Sequence, residues 1–208
     1  MTDLPWLTVL GGLPLLGALA VAFVPRGREL LAKQLALLVS LVVLAGTVAL
    51  GLAFDPAGPQ FQFVEQHAWI PAFGVSYAVG VDGIALVLVA LAAVLTPVCI
   101  LASWHDVRDT VGGRGGRREQ TFFALLLVLE TAMIGVFAAV DVFLFYVFFE
   151  AMLIPMYFLI GSFGGPRRSY AAVKFLLYSL FGGLLMLAAV IGLYVAGPGG
   201  PDGFLFTR

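Results

Sequence analysis

A glutamate interrupts one of the most apolar stretches of the chain. In "DVFLFYVFFEAMLIPMYFLIG", residues 141–161, Glu150 lies near the centre and Pro155 follows five residues later. An acidic side chain at the centre of a bilayer helix costs about 2.5–3.5 kcal/mol on insertion scales, so it is retained there for a function or for a polar partner. Because proline has no N–H, it frees the carbonyl of Ala151 beside the acid. The pattern predicts a proton-carrying carboxyl group that water can reach.

A second acid lies at a similar depth in the preceding apolar stretch. Glu130, in "ALLLVLETAMIGVFAAVD", is about nine residues from either end of that stretch, or roughly 14 Å from both membrane surfaces. A tight turn joins the two stretches, so we expect two antiparallel helices whose acids point into the protein. Two carboxyl groups that share a site away from water resist joint ionisation, which favours a proton relay. Permanently protonated, hydrogen-bonded glutamates are the alternative for both positions.

Lys174 is the third candidate for proton transfer. It lies about six residues inside the last apolar stretch, in "SYAAVKFLLYSLFGG". Two interpretations are open: its long stem reaches to the membrane surface, or it is a buried cation whose field changes the proton affinity of Glu150. Asp141 is expected to cap the helix that carries Glu150, and Gly182 and Gly183 are expected to allow close helix contact.

The composition places these residues in a membrane. Of the 208 residues, 62% are hydrophobic and 11% are charged, and the mean hydropathy is +1.07. Such a chain cannot cover a soluble domain with polar side chains. A helix needs about 20 residues to cross roughly 30 Å of hydrocarbon. The sequence therefore predicts an all-α, polytopic membrane helix bundle with six spans, at Leu4–Val24, Leu30–Phe54, Val81–Trp104, Thr121–Val140, Asp141–Phe163 and Ser169–Ala196.

Basic residues predict the orientation of the bundle. They cluster in the odd-numbered connections, at Arg26, Arg28, Lys33, Arg108, Arg114, Arg117, Arg118, Arg167 and Arg168. The positive-inside rule then puts these connections in the cytoplasm and both termini outside. The second connection, residues 55–80, contains neither Lys nor Arg. Its Trp69 and Tyr77 indicate a segment that rests at the membrane interface.

Several classes of site are not indicated. The single cysteine, Cys99, excludes an intrachain disulfide and a thiolate cluster, and we assign it to packing. His67 and His105 are too far apart in sequence to indicate a ligand set and are expected at the surface. There is no nucleotide-binding fingerprint and no basic stripe with interleaved aromatic residues, so neither a nucleotide nor a nucleic acid is an expected ligand.

The segment from Glu130 to Leu193 resembles a known family. "LLLVLETAMIGVFAAVDVFLFYVFFEAMLIPMYFLIGSFGG" followed by "AAVKFLLYSLFGGLLMLAAVIGLY" is similar to the antiporter-like proton-pumping subunits of respiratory complex I. The "EAMLIPMY" portion carries most of the resemblance. Such subunits have fourteen helices, inverted repeats and a line of ionisable groups along the membrane midplane. The resemblance implies that Glu150 is the essential fifth-helix acid, that Glu130 is the fourth-helix acid, and that Lys174 is the sixth-helix lysine.

The resemblance also implies how the chain is divided into sections and which cofactors belong to partner subunits. Residues 1–110 would form three leading helices with a long external loop, and residues 111–208 would begin the antiporter-like bundle. The seventh-helix lysine and the second half of such a subunit are missing from these 208 residues, which indicates an N-terminal fragment. No cofactor is expected in this chain. NADH, FMN, iron-sulfur clusters and quinone would be handled by partner subunits. This chain itself would be a multi-pass protein of the cell (inner) membrane.

The sequence leaves two other functions open. A subunit of a multisubunit sodium/proton antiporter could use the same midplane carboxyl group for either cation. A noncatalytic membrane scaffold would not need it. The first expectation remains a membrane subunit that provides a proton-translocation path to an NADH-quinone oxidoreductase, with other membrane subunits, the lipid bilayer and protons as its partners.

Overall fold

The computed structural model describes residues 5–25, 27–105, 117–197 and 203–205. Arg26, Arg108 and Arg114, which contribute to the predicted orientation, lie outside these ranges. Six helices and one two-stranded antiparallel sheet form the described part of the chain. The elements are α1 (Trp6–Ala22), α2 (Glu29–Ala53), β1 (Gln62–Ile70), β2 (Val75–Val81), α3 (Gly83–Ala102), α4 (Arg117–Ala138), α5 (Val142–Phe163) and α6 (Arg168–Ala196).

The helices confirm the predicted membrane bundle. Helices α2 to α6 are each long and apolar enough to cross a bilayer. Helix α1 is shorter, with 17 residues, and is about 26 Å long at 1.5 Å per residue. Polypeptide in hydrocarbon must satisfy its own backbone hydrogen bonds, and a helix does so within one segment. The chain is therefore a multi-pass membrane protein.

Helix α4 is the centre of the bundle. It packs on α1, α2, α3 and α5, and α1 makes its most extensive contact with α4. Helix α6 packs on α5 at the periphery. Only 11% of its most apolar window is buried, against 39% for α4. A candidate site on α5 therefore faces the well-packed α4 on one side and the more open α6 on the other.

The second connection forms a β-hairpin, and its place at the membrane interface stays a prediction. Strands β1 and β2 pair from Gln62↔Val81 to Ile70↔Val75. Gly74 turns the chain between them with φ +68°, a left-handed conformation that glycine adopts without a steric penalty. Strand β2 is buried almost throughout and packs against α4 and α5. We call the end of the bundle that carries the hairpin the hairpin end. The opposite end, which carries Arg28 and Arg167, is the basic end.

The hairpin is tied to α1 by polar contacts. Glu65 of β1 accepts a hydrogen bond from the backbone N–H of Leu7 at 2.7 Å, and the hydroxyl of Thr8 also donates to its carboxylate. The hydroxyls of Thr8 and Tyr77 are 2.8 Å apart. Burial raises the pKa of the Tyr77 hydroxyl. Two of the free N–H groups in the first turn of α1, those of Leu7 and Thr8, are therefore satisfied by the hairpin.

Candidate functional site

Glu130 is enclosed at the centre of the bundle. Its side chain is 0% exposed, and neither carboxylate oxygen has a hydrogen-bond partner in the described part of the chain. Thr96 of α3 lies beside it, but the Thr96 hydroxyl donates to the carbonyl oxygen of Ala92 at 3.0 Å. A buried polar group without a partner is costly. The prediction that this acid points into the protein is confirmed by its position.

Glu150 lies on α5 and faces α6. Its side chain is half-buried, and its Oε1 atom is buried with no hydrogen-bond partner among the described residues. The carboxyl group rests against the backbone of Gly183 on α6, because a Cβ placed on that glycine would lie 2.7 Å from the carboxyl carbon of Glu150. The acid is therefore held in a helix–helix contact and not on a free surface.

The two acids share a depth but turn to different neighbours. Glu130 is eight residues before the end of α4, and Glu150 is eight residues after the start of α5, so each lies about 12 Å from the hairpin end of its helix. Glu130 faces α3, whereas Glu150 faces α6. The matching depth agrees with the sequence prediction. Transfer of a proton between the two groups would require water or a further side chain between them.

Lys174 is placed away from both acids. Its side chain is exposed, and its Nζ lies 5.8 Å from the ring centroid of Tyr178. Lys174 precedes Gly183 by nine residues, which is two and a half helical turns, so the two residues lie on opposite sides of α6 and about 13 Å apart along its axis. In this structure Lys174 is not the direct partner of Glu150, and a role in proton transfer stays a prediction.

Pro155 is buried within α5, five residues after Glu150. A proline inside a helix removes one backbone hydrogen bond, here the one to the carbonyl of Ala151. Pro14 in α1 and Pro97 in α3 are also buried inside their helices. A buried proline inside a membrane helix is thus shared by α1, α3 and α5.

Asp141 fixes the start of α5. It caps the helix as predicted, with Oδ1 accepting the N–H groups of Phe143 and Leu144 at 2.9 Å each. Its Oδ2 accepts the N–H of Ser76 on β2 at 3.0 Å. The backbone N–H of Val140 also donates to Ala78 at 2.9 Å. The helix that carries Glu150 is thereby joined to the hairpin by a carboxylate that is 0% exposed.

A buried ion pair at the basic end was not predicted from the sequence. Lys33 of α2 and Glu119 of α4 approach to 2.9 Å between Nζ and Oε2, with side chains 9% and 4% exposed. The Lys33 ammonium also donates to the carbonyl oxygen of Trp104 at 2.6 Å. Next to it, the Gln120 amide donates to the carbonyl of Val24 at 3.2 Å. These contacts join α2 and the start of α4 to the residues that follow α1 and α3.

The other residues singled out in the sequence lie at the surface. His67 on β1 and His105 after α3 are both exposed, as expected. Cys99 is exposed on α3, and its assignment to packing stays a prediction. Within the described ranges, no three His, Cys, Asp or Glu side chains come together as a group that could hold a metal ion.

The sequence is similar to curated proteins over most of its length. It is 49% identical over 94% of the chain to NADH-quinone oxidoreductase subunit M of Mycobacterium tuberculosis, and covers 39% of that protein. It is 43% identical over 91% of the chain to the protein of the same name from Rhodobacter capsulatus, and covers 36% of it. The chain thus spans less than two fifths of the length of these relatives.

Solved structures share the fold. A chain of respiratory complex I from Thermus thermophilus, solved with bound NADH, matches 96% of this chain and 38% of its own length, with a TM-score of 0.75 and 28% sequence identity. A chain of the Mrp complex from Dietzia sp. matches 92% of this chain and 19% of its own length, with a TM-score of 0.69 and 23% identity. The second likeness supports the fold alone.

A family model covers the part of the chain that contains Glu150. Residues 139–198 match the transmembrane family of the NADH:quinone oxidoreductase and Mrp antiporter proteins. This range includes the Asp141 cap, Glu150, Lys174 and Gly183. Together with the relatives named subunit M, it confirms the resemblance that the "EAMLIPMY" portion indicated. The chain belongs to the antiporter-like membrane subunits of the NADH:quinone oxidoreductase and Mrp antiporter family.

Proposed function

We propose that this chain provides part of a proton-translocation path in the membrane domain of an NADH-quinone oxidoreductase. The observation that carries the proposal is the position of the Glu150 carboxyl group. It lies about 12 Å below the hairpin end of α5, in contact with α6, with one oxygen buried and without a hydrogen-bond partner among the described residues. Ionisable residues at such depths in membrane helices usually serve ion or proton movement.

In the proposed mechanism, Glu150 changes its protonation state during turnover. It accepts a proton from the cytoplasmic side and passes it along the membrane midplane when a neighbouring charge changes. For coupling, the affinity of Glu150 for the proton has to differ between two states of the complex. Glu130, enclosed at the same depth, is the proposed second proton carrier, and Lys174 is the proposed source of a charge change on the cytoplasmic side.

The names of the relatives support the proposed setting. Subunit M proteins are parts of NADH-quinone oxidoreductases, and the neighbouring solved structures are multisubunit complexes. We therefore propose that other membrane subunits adjoin this chain in the cell membrane, and that partner subunits bind NADH, FMN, iron-sulfur clusters and quinone. We propose, from the positive-inside rule, that the N-terminus lies outside and the basic end in the cytoplasm. Residues 1–110 are the proposed leading section and residues 111–208 the start of the antiporter-like bundle.

The test is proton translocation by the intact complex with Glu150→Gln in this subunit. Glutamine keeps the size of the side chain but cannot release a proton, so we expect the translocation that depends on this subunit to be lost. Membrane vesicles are supplied with NADH, and proton uptake is followed with a pH-sensitive dye while quinone reduction is recorded. Glu29→Gln makes the same chemical change at a helix end and is expected to leave proton uptake unchanged.

Three outcomes separate the possible functions. Loss of proton uptake, with or without sodium in the buffer, supports the proposal. Loss of sodium transport alone would indicate a sodium/proton antiporter subunit. Normal proton uptake in Glu150→Gln would leave the chain as a membrane scaffold and would contradict the proposal.

A further inference from the structure

Helices α5 and α6 approach each other closely at two places. A Cβ on Gly161 would lie 3.3 Å from the Cβ of Ala172, and a Cβ on Gly183 would meet the carboxyl group of Glu150. The two contacts are eleven residues apart on each helix, or about three turns. Ala172 and Gly183 are both buried on α6. The two contacts therefore belong to one antiparallel seam between the helices.

The two contacts differ in what fills the space. Ala172 carries a methyl group opposite Gly161, so the seam accommodates a Cβ on α6 at that position. At the second contact, the α6 residue is Gly183, which has no Cβ. The carboxyl group of Glu150 occupies the space that a Cβ would fill. A Cβ on Gly183 would lie 2.7 Å from the carboxyl carbon and 3.2 Å from Oε2, and closer still to Oε1. The free space beside Gly183 is thus occupied by the acid itself.

We infer that Gly183 is a positioning residue for Glu150: its missing side chain forms the notch that holds the carboxyl group against α6. This inference rests on the proposed function of Glu150 in proton translocation. The carboxyl group is the flexible end of its side chain, so an added methyl group displaces it more readily than it separates two helices. The seam at Ala172 and Gly161 already shows that the helices pack with a methyl group between them.

The neighbouring residue supplies a matched control. Gly182 lies in the same helix, and a Cβ placed on it meets no atom within 4 Å. Replacing either glycine with alanine gives the same gain in helix propensity. Gly183→Ala and Gly182→Ala therefore differ mainly in the contact with Glu150.

The test compares both variants in the intact complex in membrane vesicles. We expect Gly183→Ala to slow the proton translocation that depends on this subunit by roughly tenfold or more, since a displacement of about 1 Å at a reacting group can cost up to about 100-fold in rate. Gly182→Ala is expected to match the unaltered complex. The amount of assembled complex, measured on native gels, should be the same in both variants.

A second measurement separates positioning from packing. The infrared C=O stretching band of the Glu150 carboxyl group should shift in Gly183→Ala and stay in place in Gly182→Ala. Shortening the acid should relieve the clash, so Glu150→Asp combined with Gly183→Ala should translocate more protons than Gly183→Ala alone. In an otherwise unaltered subunit, Glu150→Asp should instead lower translocation, because it withdraws the acid from the notch. This reversal of sign is the signature of two residues that act through one contact.

The results that would overturn the inference are distinct from those that overturn the proposed function. If Gly183→Ala translocates protons like Gly182→Ala while Glu150→Gln does not, the notch has no role and the proposed function stands. An unchanged infrared band with less assembled complex would make Gly183 a packing residue only. Normal translocation by Glu150→Gln would remove the proposed function itself.

Discussion

Lys33→Met is expected to destabilise the bundle by about 3–5 kcal/mol, the usual cost of leaving one charge of a buried pair without its partner. The carboxylate of Glu119 would stay buried but lose the ammonium group at 2.9 Å. The carbonyl oxygen of Trp104 would lose its donor as well. The free energy of unfolding can be measured by titrating the purified chain in mixed micelles with a denaturing detergent.

The double variant Lys33→Met with Glu119→Leu is the control for this prediction. It removes both charges and fills their space with apolar side chains, so it should regain most of the lost stability. Glu119→Gln alone should resemble Lys33→Met, because it leaves the ammonium group unpaired. Single variants that cost less than about 1 kcal/mol, as pairs on a surface do, would show that the pair is open to water.

Asp141→Ala is expected to cost about 2–4 kcal/mol, because one carboxylate serves both the helix cap and the hairpin. Loss of a helix cap costs about 1 kcal/mol, and a buried N–H left without an acceptor adds about 1–3 kcal/mol. The N–H groups concerned are those of Phe143, Leu144 and Ser76. The same detergent titration gives the cost, and amide hydrogen exchange locates it.

Two further variants define what Asp141 contributes. Asp141→Asn keeps one oxygen for the cap, so exchange should quicken at Ser76 but not in the first turn of α5. Asp82→Ala removes another aspartate cap. Asp82 accepts one hydrogen bond, from the N–H of Ala85 at 2.7 Å, so its loss should cost only about 1 kcal/mol. If Asp141→Ala costs no more than Asp82→Ala, the hairpin does not depend on the carboxylate.

The sequence was sufficient for the helices and for the depth of the acids. Membrane spans are set by a run of about 20 apolar residues, a property of the local sequence, and the described helix ends lie within four residues of the predicted ones. Counting along two helices joined by a short turn places Glu130 and Glu150 at one depth. The cap at Asp141 follows from the residue type that precedes a helix.

Contacts between segments that are distant in the sequence could not be predicted from it. Strand β2 is buried on both faces, so it lacks the alternation of polar and apolar residues that marks a strand. Lys33 and Glu119 are 86 residues apart, and their meeting depends on how α2 and α4 pack. Gly183 contacts Glu150 and Gly182 does not, because of the way α6 is rotated against α5. This rotation also depends on how the helices pack. Periodicity alone does not select one glycine of the pair.

The proposed mechanism requires the Glu150 carboxyl group to gain and lose a proton during turnover. Infrared difference spectra of the working complex test it directly, with Glu150→Gln used to assign the C=O stretching band. If Glu150 gains and loses a proton, the band of the protonated acid rises and falls between states of the catalytic cycle. A band of constant intensity throughout the cycle would contradict it.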